Sequence, residues 1–254
     1  MKLTVLGSGT TVPHPRRTSA AFWLETSGGK ILLDCSATAA SRMAACGVAW
    51  PDLDTIWISH FHMDHCGGLG PLLTGLKHAE ETKDRARPLT LAGPKGLRDL
   101  ISNFSRVHDY RLLEQNFPVE VVEVEPLEAF DIVPGVEGVA MSTEHRPESL
   151  AIHIRDAQAT FVYTSDTGFD EKIAAFASGA DLLVMECTFL KEKEDPKHLE
   201  LAEAMFLVRK GKPKRVILGH LNHTWDDVNF QEEVGKFDPP CEVIEAVDGL
   251  AFEI

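Results

Sequence analysis

Ser59-His60-Phe61-His62-Met63-Asp64-His65 follows a largely apolar run, Leu53 to Ile58, that predicts a buried strand. Three imidazoles and one carboxylate thus fall within six positions at a strand's carboxyl end, with Gly67-Gly68 just beyond. Zinc takes nitrogen and carboxylate-oxygen donors, and manganese takes them with a larger share of oxygen. Side chains at i, i+2, i+4 and i+5 point in different directions, so one ion does not readily gather all four. Two adjacent ions do. The run therefore predicts a binuclear metal hydrolase. A lone histidine at a strand end is ordinarily a polar loop residue, but four donors in this order are hard to produce by accident.

Outward from this run, strand-like and helical patterns alternate, as in an α/β chain. Strands are predicted at Leu3–Leu6, Ala20–Glu25, Lys30–Leu33, Asp54–Ile58 and Val119–Val124, with one within Arg85–Leu91. The second half adds Val136–Ser142, Leu150–Ile154, Thr160–Thr164, Asp181–Val184, Val216–Leu218, Val243–Ala246 and Leu250–Ile254. Helices are expected over Ala37–Cys46, Gly70–Glu81, Pro94–Val107, Glu171–Ser178 and His198–Arg209. No Pro/Ser-rich linker or low-complexity tract divides the 254 residues, so one two-sheet domain over 1–254 is expected.

Composition narrows the function classes. Hydrophobic residues at 44% and charged residues at 25% are ordinary for a globular protein. The N-terminus shows no charged leader with a long apolar stretch, and no run is long enough to span a bilayer, so no membrane partner is expected. Five cysteines without a CxxC pair suit a reducing cytoplasm, with Cys66 and Cys187 read as packing residues. A formal charge of −14 argues against a large nucleic-acid footprint. The basic clusters Arg16-Arg17 and Lys210–Arg215 are short and read as solvated surface.

A two-metal site needs further donors, and three stand just beyond apolar strands: His145 after Ser142, Asp166 after Phe161–Ser165, and His220 after Val216–Gly219. That is where α/β sheets place binding groups. The order HxHxDH, then His, Asp and His, resembles the metallo-β-lactamase superfamily, and the likeness covers essentially the whole chain. It implies an αββα sandwich of two mixed sheets flanked by helices. It also implies that His60, His62 and His145 hold one divalent ion, that Asp64, His65 and His220 hold a second, and that Asp166 bridges them. Zinc suits the imidazoles, while two carboxylates also admit manganese or iron.

Leu6-Gly7-Ser8-Gly9-Thr10, Leu33-Asp34-Cys35 and Glu186-Cys187-Thr188-Phe189 are similar to ribonuclease Z and its phosphodiesterase relatives. In that branch a histidine matching His198 pairs with the glutamate matching Glu186 and assists the leaving oxygen. Asp64 would orient the attacking hydroxide, Asp34 would fix a ligand imidazole, and dimers are common, with the Gly67–Gly75 region available for pairing. Two departures matter. Only twenty residues lie between His145 and Asp166, where ribonuclease Z carries a long tRNA-gripping arm. Leu221-Asn222-His223-Thr224 follows the last donor, where ribonuclease Z has a small hydroxyl residue and an arginine.

The resemblance therefore favours small, possibly cyclic, phosphodiester substrates, with nucleic acid less favoured. A tRNA 3′-processing endonuclease, a lactone, carboxylic ester or aryl sulfate hydrolase, and a non-catalytic metal-binding sensor are the alternatives. Arg146 and His223 are open as substrate contacts, as are Arg16 and Arg17.

Overall fold

The computed structural model describes all residues, Met1–Ile254. Fourteen strands form in chain order: β1 (Lys2–Gly7), β2 (Ala21–Glu25), β3 (Lys30–Leu33), β4 (Thr55–Trp57), β5 (Leu89–Gly93), β6 (Val119–Glu123), β7 (Ala129–Val133), β8 (Val136–Ser142), β9 (Leu150–Arg155), β10 (Thr160–Tyr163), β11 (Leu182–Glu186), β12 (Arg215–Gly219), β13 (Glu242–Glu245) and β14 (Ala251–Glu253). The helices are α1 (Ala39–Ala45), α2 (Met63–Cys66), α3 (Leu69–His78), α4 (Leu97–Arg106), α5 (Lys172–Phe176), α6 (Leu201–Gly211) and α7 (Phe230–Gly235).

The strands form two seven-stranded sheets, ordered β14-β1-β2-β3-β4-β5-β6 and β13-β12-β11-β10-β9-β8-β7. Each sheet is antiparallel over four strands and parallel over the rest. β14 through β3 pair antiparallel and β3 through β6 parallel. β7 through β10 pair antiparallel and β10 through β13 parallel.

Strand alternation explains the layering, because successive side chains leave a strand on opposite faces. In β1, Leu3 and Val5 face the space between the sheets, while Leu6 joins the outer cluster. The inner layer brings Phe22, Leu33 and Trp57 against Ile152, Phe161 and Val184. Outside the first sheet, Trp23 and Ile56 meet Met43, Leu72, Leu73 and Ile101 from the helices. Outside the second, Leu183 and Leu218 meet Ile173, Met205 and Val208. The αββα sandwich expected from the resemblance is the observed architecture.

The structure corrects several local expectations. Residues 63–66, for which no element is predicted, form a helical turn, α2, so the donor run leaves β4 and bends into a helix. The helix expected to open at His198 begins at Leu201, with Glu200 and Glu203 forming a capping box, so His198 lies on the preceding loop. β7 and α7 lack predicted counterparts. Arg17 is no solvated residue: its side chain is 6% exposed and pairs with Asp226 and Glu245. Arg16, 64% exposed, joins the same Asp226.

Candidate metal centre

All seven donors converge at the carboxyl ends of the central strands. His60 leaves β4, His62 caps α2, and Asp64 and His65 lie on its single turn. His145 comes from the β8–β9 loop, and Asp166 and His220 follow β10 and β12. One group joins His60, His62, His145 and Asp166, and another joins Asp64, His65 and His220, the donor atoms in each lying within 4.8 Å of one another. Asp166 spans both. Its Oδ2 is 3.7 Å from Nε2 of His60 and of His145 and 3.3 Å from His65 Nε2, while Oδ1 is 3.4 Å from His220 Nε2. Asp64 Oδ2 lies 3.5 Å from His220 Nε2 and 3.7 Å from His65 Nε2.

Nε2 of His65, Nε2 of His220 and Oδ1 of Asp166 are buried and have no hydrogen-bond partner. Three orphaned donor-type atoms facing one another are costly unless a cation fills the space. The donor set is thus suited to divalent metal ions.

The far ring nitrogens of His60, His65, His145 and His220 are engaged, which fixes the orientation of those rings. His62 instead turns its Nδ1 toward Nε2 of His60 and of His145, 3.1 Å from each. His65 Nδ1 meets Asp34 Oδ2 at 2.7 Å, and His60 Nδ1 meets Ser59 Oγ at 3.0 Å. His145 Nδ1 meets the Lys197 carbonyl at 3.1 Å, and His220 Nδ1 meets Thr188 Oγ1 at 2.9 Å. Asp34 also accepts from Ser59 N, Ser59 Oγ and Tyr163 Oη, the last reaching across from the second sheet. Asp34 (φ 59), Ser165 (φ 53) and His220 (φ 55) each adopt a left-handed backbone where β3, β10 and β12 end. These turns swing the chain ends toward the site at some conformational cost.

Glu186, at the end of β11, is 2% exposed and anchors His198. Its Oε1 accepts from His198 Nδ1 at 2.9 Å and from Thr167 N at 2.7 Å, and its Oε2 accepts from Thr188 Oγ1 at 2.7 Å. The His198 ring stacks on His220, with centroids 5.3 Å apart and planes at 14°. A Cβ at Gly168 would lie 2.4 Å from the Pro196 carbonyl, so only glycine lets the loop carrying His198 approach this closely.

The charges follow from this packing. Burial pulls His198 down, but the hydrogen bond and charge of Glu186 prevail and push it up to about 9. Burial likewise opposes charge on His65, yet Asp166 and Asp34 hold it well above the ordinary histidine value. Burial also resists ionisation of Asp166, but His220 and His65 hold it well below the usual carboxylate range. His60, His62 and His145 are shifted down, chiefly by burial, and so favour the neutral form that binds metal.

A cavity of about 620 Å³ opens beside His145, with Arg146, Phe169, Lys172 and Lys197 on its walls. Ser59, Tyr163, Thr188 and the Lys197 carbonyl escaped the sequence reading. Ser59 and Thr188 lie inside the quoted motifs, and Tyr163, on a buried strand, needed a partner for its hydroxyl.

Comparison with known proteins agrees with this geometry. The profile of the anti-Pycsar protein Apyc1 family matches residues 1–238. The chain belongs to this family. It is a metallo-hydrolase of the metallo-β-lactamase fold, related to ribonuclease Z. The ribonuclease Z of Mycobacterium sp. strain KMS is 32% identical over 195 residues, covering 72% of this chain and 67% of that relative. The ribonuclease Z of Shouchella clausii is 26% identical over 310 aligned positions, covering 100% of this chain and 97% of the relative. An alignment of that length exceeds the 254 residues here, so that relative carries segments without a counterpart in the family member described. YhfI of Bacillus subtilis aligns over 235 residues at 23% identity, covering 92% of each chain. Its crystal structure superposes with a TM-score of 0.81 over 99% of both chains at 21% identity.

Proposed function

We propose that this chain is a binuclear-metal phosphodiesterase acting on small phosphodiesters, cyclic ones included. The Glu186–His198 pair carries the reading. A protonated imidazole, anchored on a buried carboxylate, stands at the edge of the donor cluster, with one ring nitrogen within 4.8 Å of donor atoms of Asp166 and His220. A phosphodiester of an alcohol expels a basic alkoxide, and a positioned proton donor answers that need.

His60, His62 and His145 would hold one cation, Asp64, His65 and His220 the other, with Asp166 between them. Zinc suits this imidazole-rich set, and the two carboxylates admit manganese or iron. When bound, the cations supply positive charge against the phosphoryl oxygens and a water acidified toward neutral pH. Asp64 would aim that water by accepting its hydrogen bond. His198 donates the proton at Nε2 to the departing oxygen, while Glu186 holds Nδ1–H.

The small-substrate reading draws support from the short path between His145 and Asp166. β9 and β10 are joined by a turn in which Asp156 N donates to the Ala159 carbonyl at 3.1 Å, leaving no room for an arm. A panel of bis-aryl and cyclic phosphodiesters, precursor tRNA, a lactone, a β-lactam and an aryl sulfate tests the proposal on metal-analysed protein. Diesters should react fastest. Cleavage of precursor tRNA at low enzyme concentration, or faster turnover of the lactone, would sink it.

A homodimer through α3 belongs to the same reading. An apolar groove of about 420 Å³ runs beside Gly67, Gly70, Phe104 and Tyr110, with Met63 62% exposed. Sedimentation equilibrium should give a dimer that Gly70→Glu splits, and a monomeric parent would overturn this. No helix is long and apolar enough to cross a membrane. All five cysteines are free, in keeping with the reducing cytoplasm we propose. A disulfide found in alkylated native protein would contradict that placement.

A further inference from the structure

We infer that Thr188 is a positioning residue whose single hydroxyl makes the orientation of His220 and the anchoring of His198 depend on each other. The inference rests on the phosphodiesterase reading and adds a role that the donor set alone does not contain.

The direction of each hydrogen bond follows from the partners. Glu186 is a buried carboxylate and only accepts, so Thr188 donates its one hydroxyl proton to Oε2 at 2.7 Å. The oxygen's lone pairs then face His220 Nδ1 at 2.9 Å, which must carry the ring proton. That leaves His220 Nε2 unprotonated and aimed at Asp64 and Asp166, the tautomer able to hold a cation. The same Glu186 carboxylate takes His198 Nδ1 on its other oxygen.

His220 is held less directly than His65, in the manner of His60, whose Nδ1 meets the Ser59 hydroxyl that bonds Asp34. His65 rests directly on a carboxylate, whereas His220 reaches one only through Thr188. Its backbone is left-handed as well, so the strand itself does not favour the position. Thr188 is held in turn: its N–H donates to Glu186 at 3.3 Å, and its carbonyl accepts from Asn222 N at 3.2 Å.

Thr188→Val keeps the shape and removes the hydroxyl, while Thr188→Ser keeps the hydroxyl. Zn²⁺ binding to stripped protein is measured against a chromophoric chelator, alongside hydrolysis of an alkyl and an aryl methyl phosphodiester. Thr188→Val should bind one of two ions about 10–100-fold more weakly. It should also lose more rate on the alkyl than on the aryl diester. Thr188→Ser should match the parent in both readouts. Parent-like binding by Thr188→Val, or an equal loss in Thr188→Ser, would overturn the inference. If Thr188→Val does not fold, Thr188→Cys, whose sulfur bonds weakly, should still weaken one ion, and parent-like affinity there is equally decisive. A parent that binds no pair of ions fails the functional reading, whereas a two-ion parent with an unaffected Thr188→Val fails only the role of Thr188.

Discussion

Each sheet brings to the site one buried carboxylate that anchors an imidazole through Nδ1, and the two are used differently. Asp34, after β3, meets His65 at 2.7 Å, and the other nitrogen of that ring faces the donor cluster. Glu186, at the end of β11, meets His198 at 2.9 Å, and that ring stands at the cluster's margin with its proton held up to about 9. In the function proposed above, the same carboxylate–imidazole pairing would serve metal holding in one sheet and proton holding in the other. What the far nitrogen faces decides which.

The most severe way to break the comparison is to remove what the two sides share. Asp166→Ala should leave substoichiometric metal by elemental analysis and activity at background, because both groups of donors lose a member. Glu186→Gln should separate the roles: metal stays bound, while turnover of alkyl diesters drops by about 10²–10⁴-fold. His198 is raised above its ordinary value of 6.5, so its acid form is present below that value and disappears as pH rises through about 9. Activity on alkyl diesters should therefore fall on the alkaline side. Bound cations pull that limb to lower pH, and Glu186→Gln pulls it lower still. An unchanged pH–rate profile in Glu186→Gln would mean that the two carboxylates do not differ in role. Asp34→Asn should have the smallest effect, metal affinity about 10–100-fold weaker by chelator competition, with the alkaline limb of the fully loaded protein in place.

The two sheets also differ in how openly the sequence displays them. The first concentrates its donors in one run after one buried strand, so residues 60–65 disclosed them directly. The second scatters His145, Asp166, Glu186 and His220 over separate strand ends, where each alone resembles an ordinary loop residue, and only their order made them legible. Most strands were readable because a short apolar run bounded by turn residues favours an extended, buried segment. β7 was not, since Ala129-Phe130-Asp131-Ile132-Val133 places a charge mid-strand at a sheet edge. The single turn of α2 is too short for helical periodicity to appear. The burial of Arg17 depends on Asp226 and Glu245, more than 200 positions away, a contact no local pattern contains.

The left-handed turns at Asp34, Ser165 and His220 carry a cost of about 1–2 kcal/mol each for side chains that are not glycine. The protein is therefore less stable than its two sheets allow, and the shortfall lies where the site is built. Directed selection for heat resistance would find relief at Ser165 by accepting glycine, and the survivors would be sturdier proteins with slacker metal sites. In this fold, robustness and competence draw on the same few backbone angles.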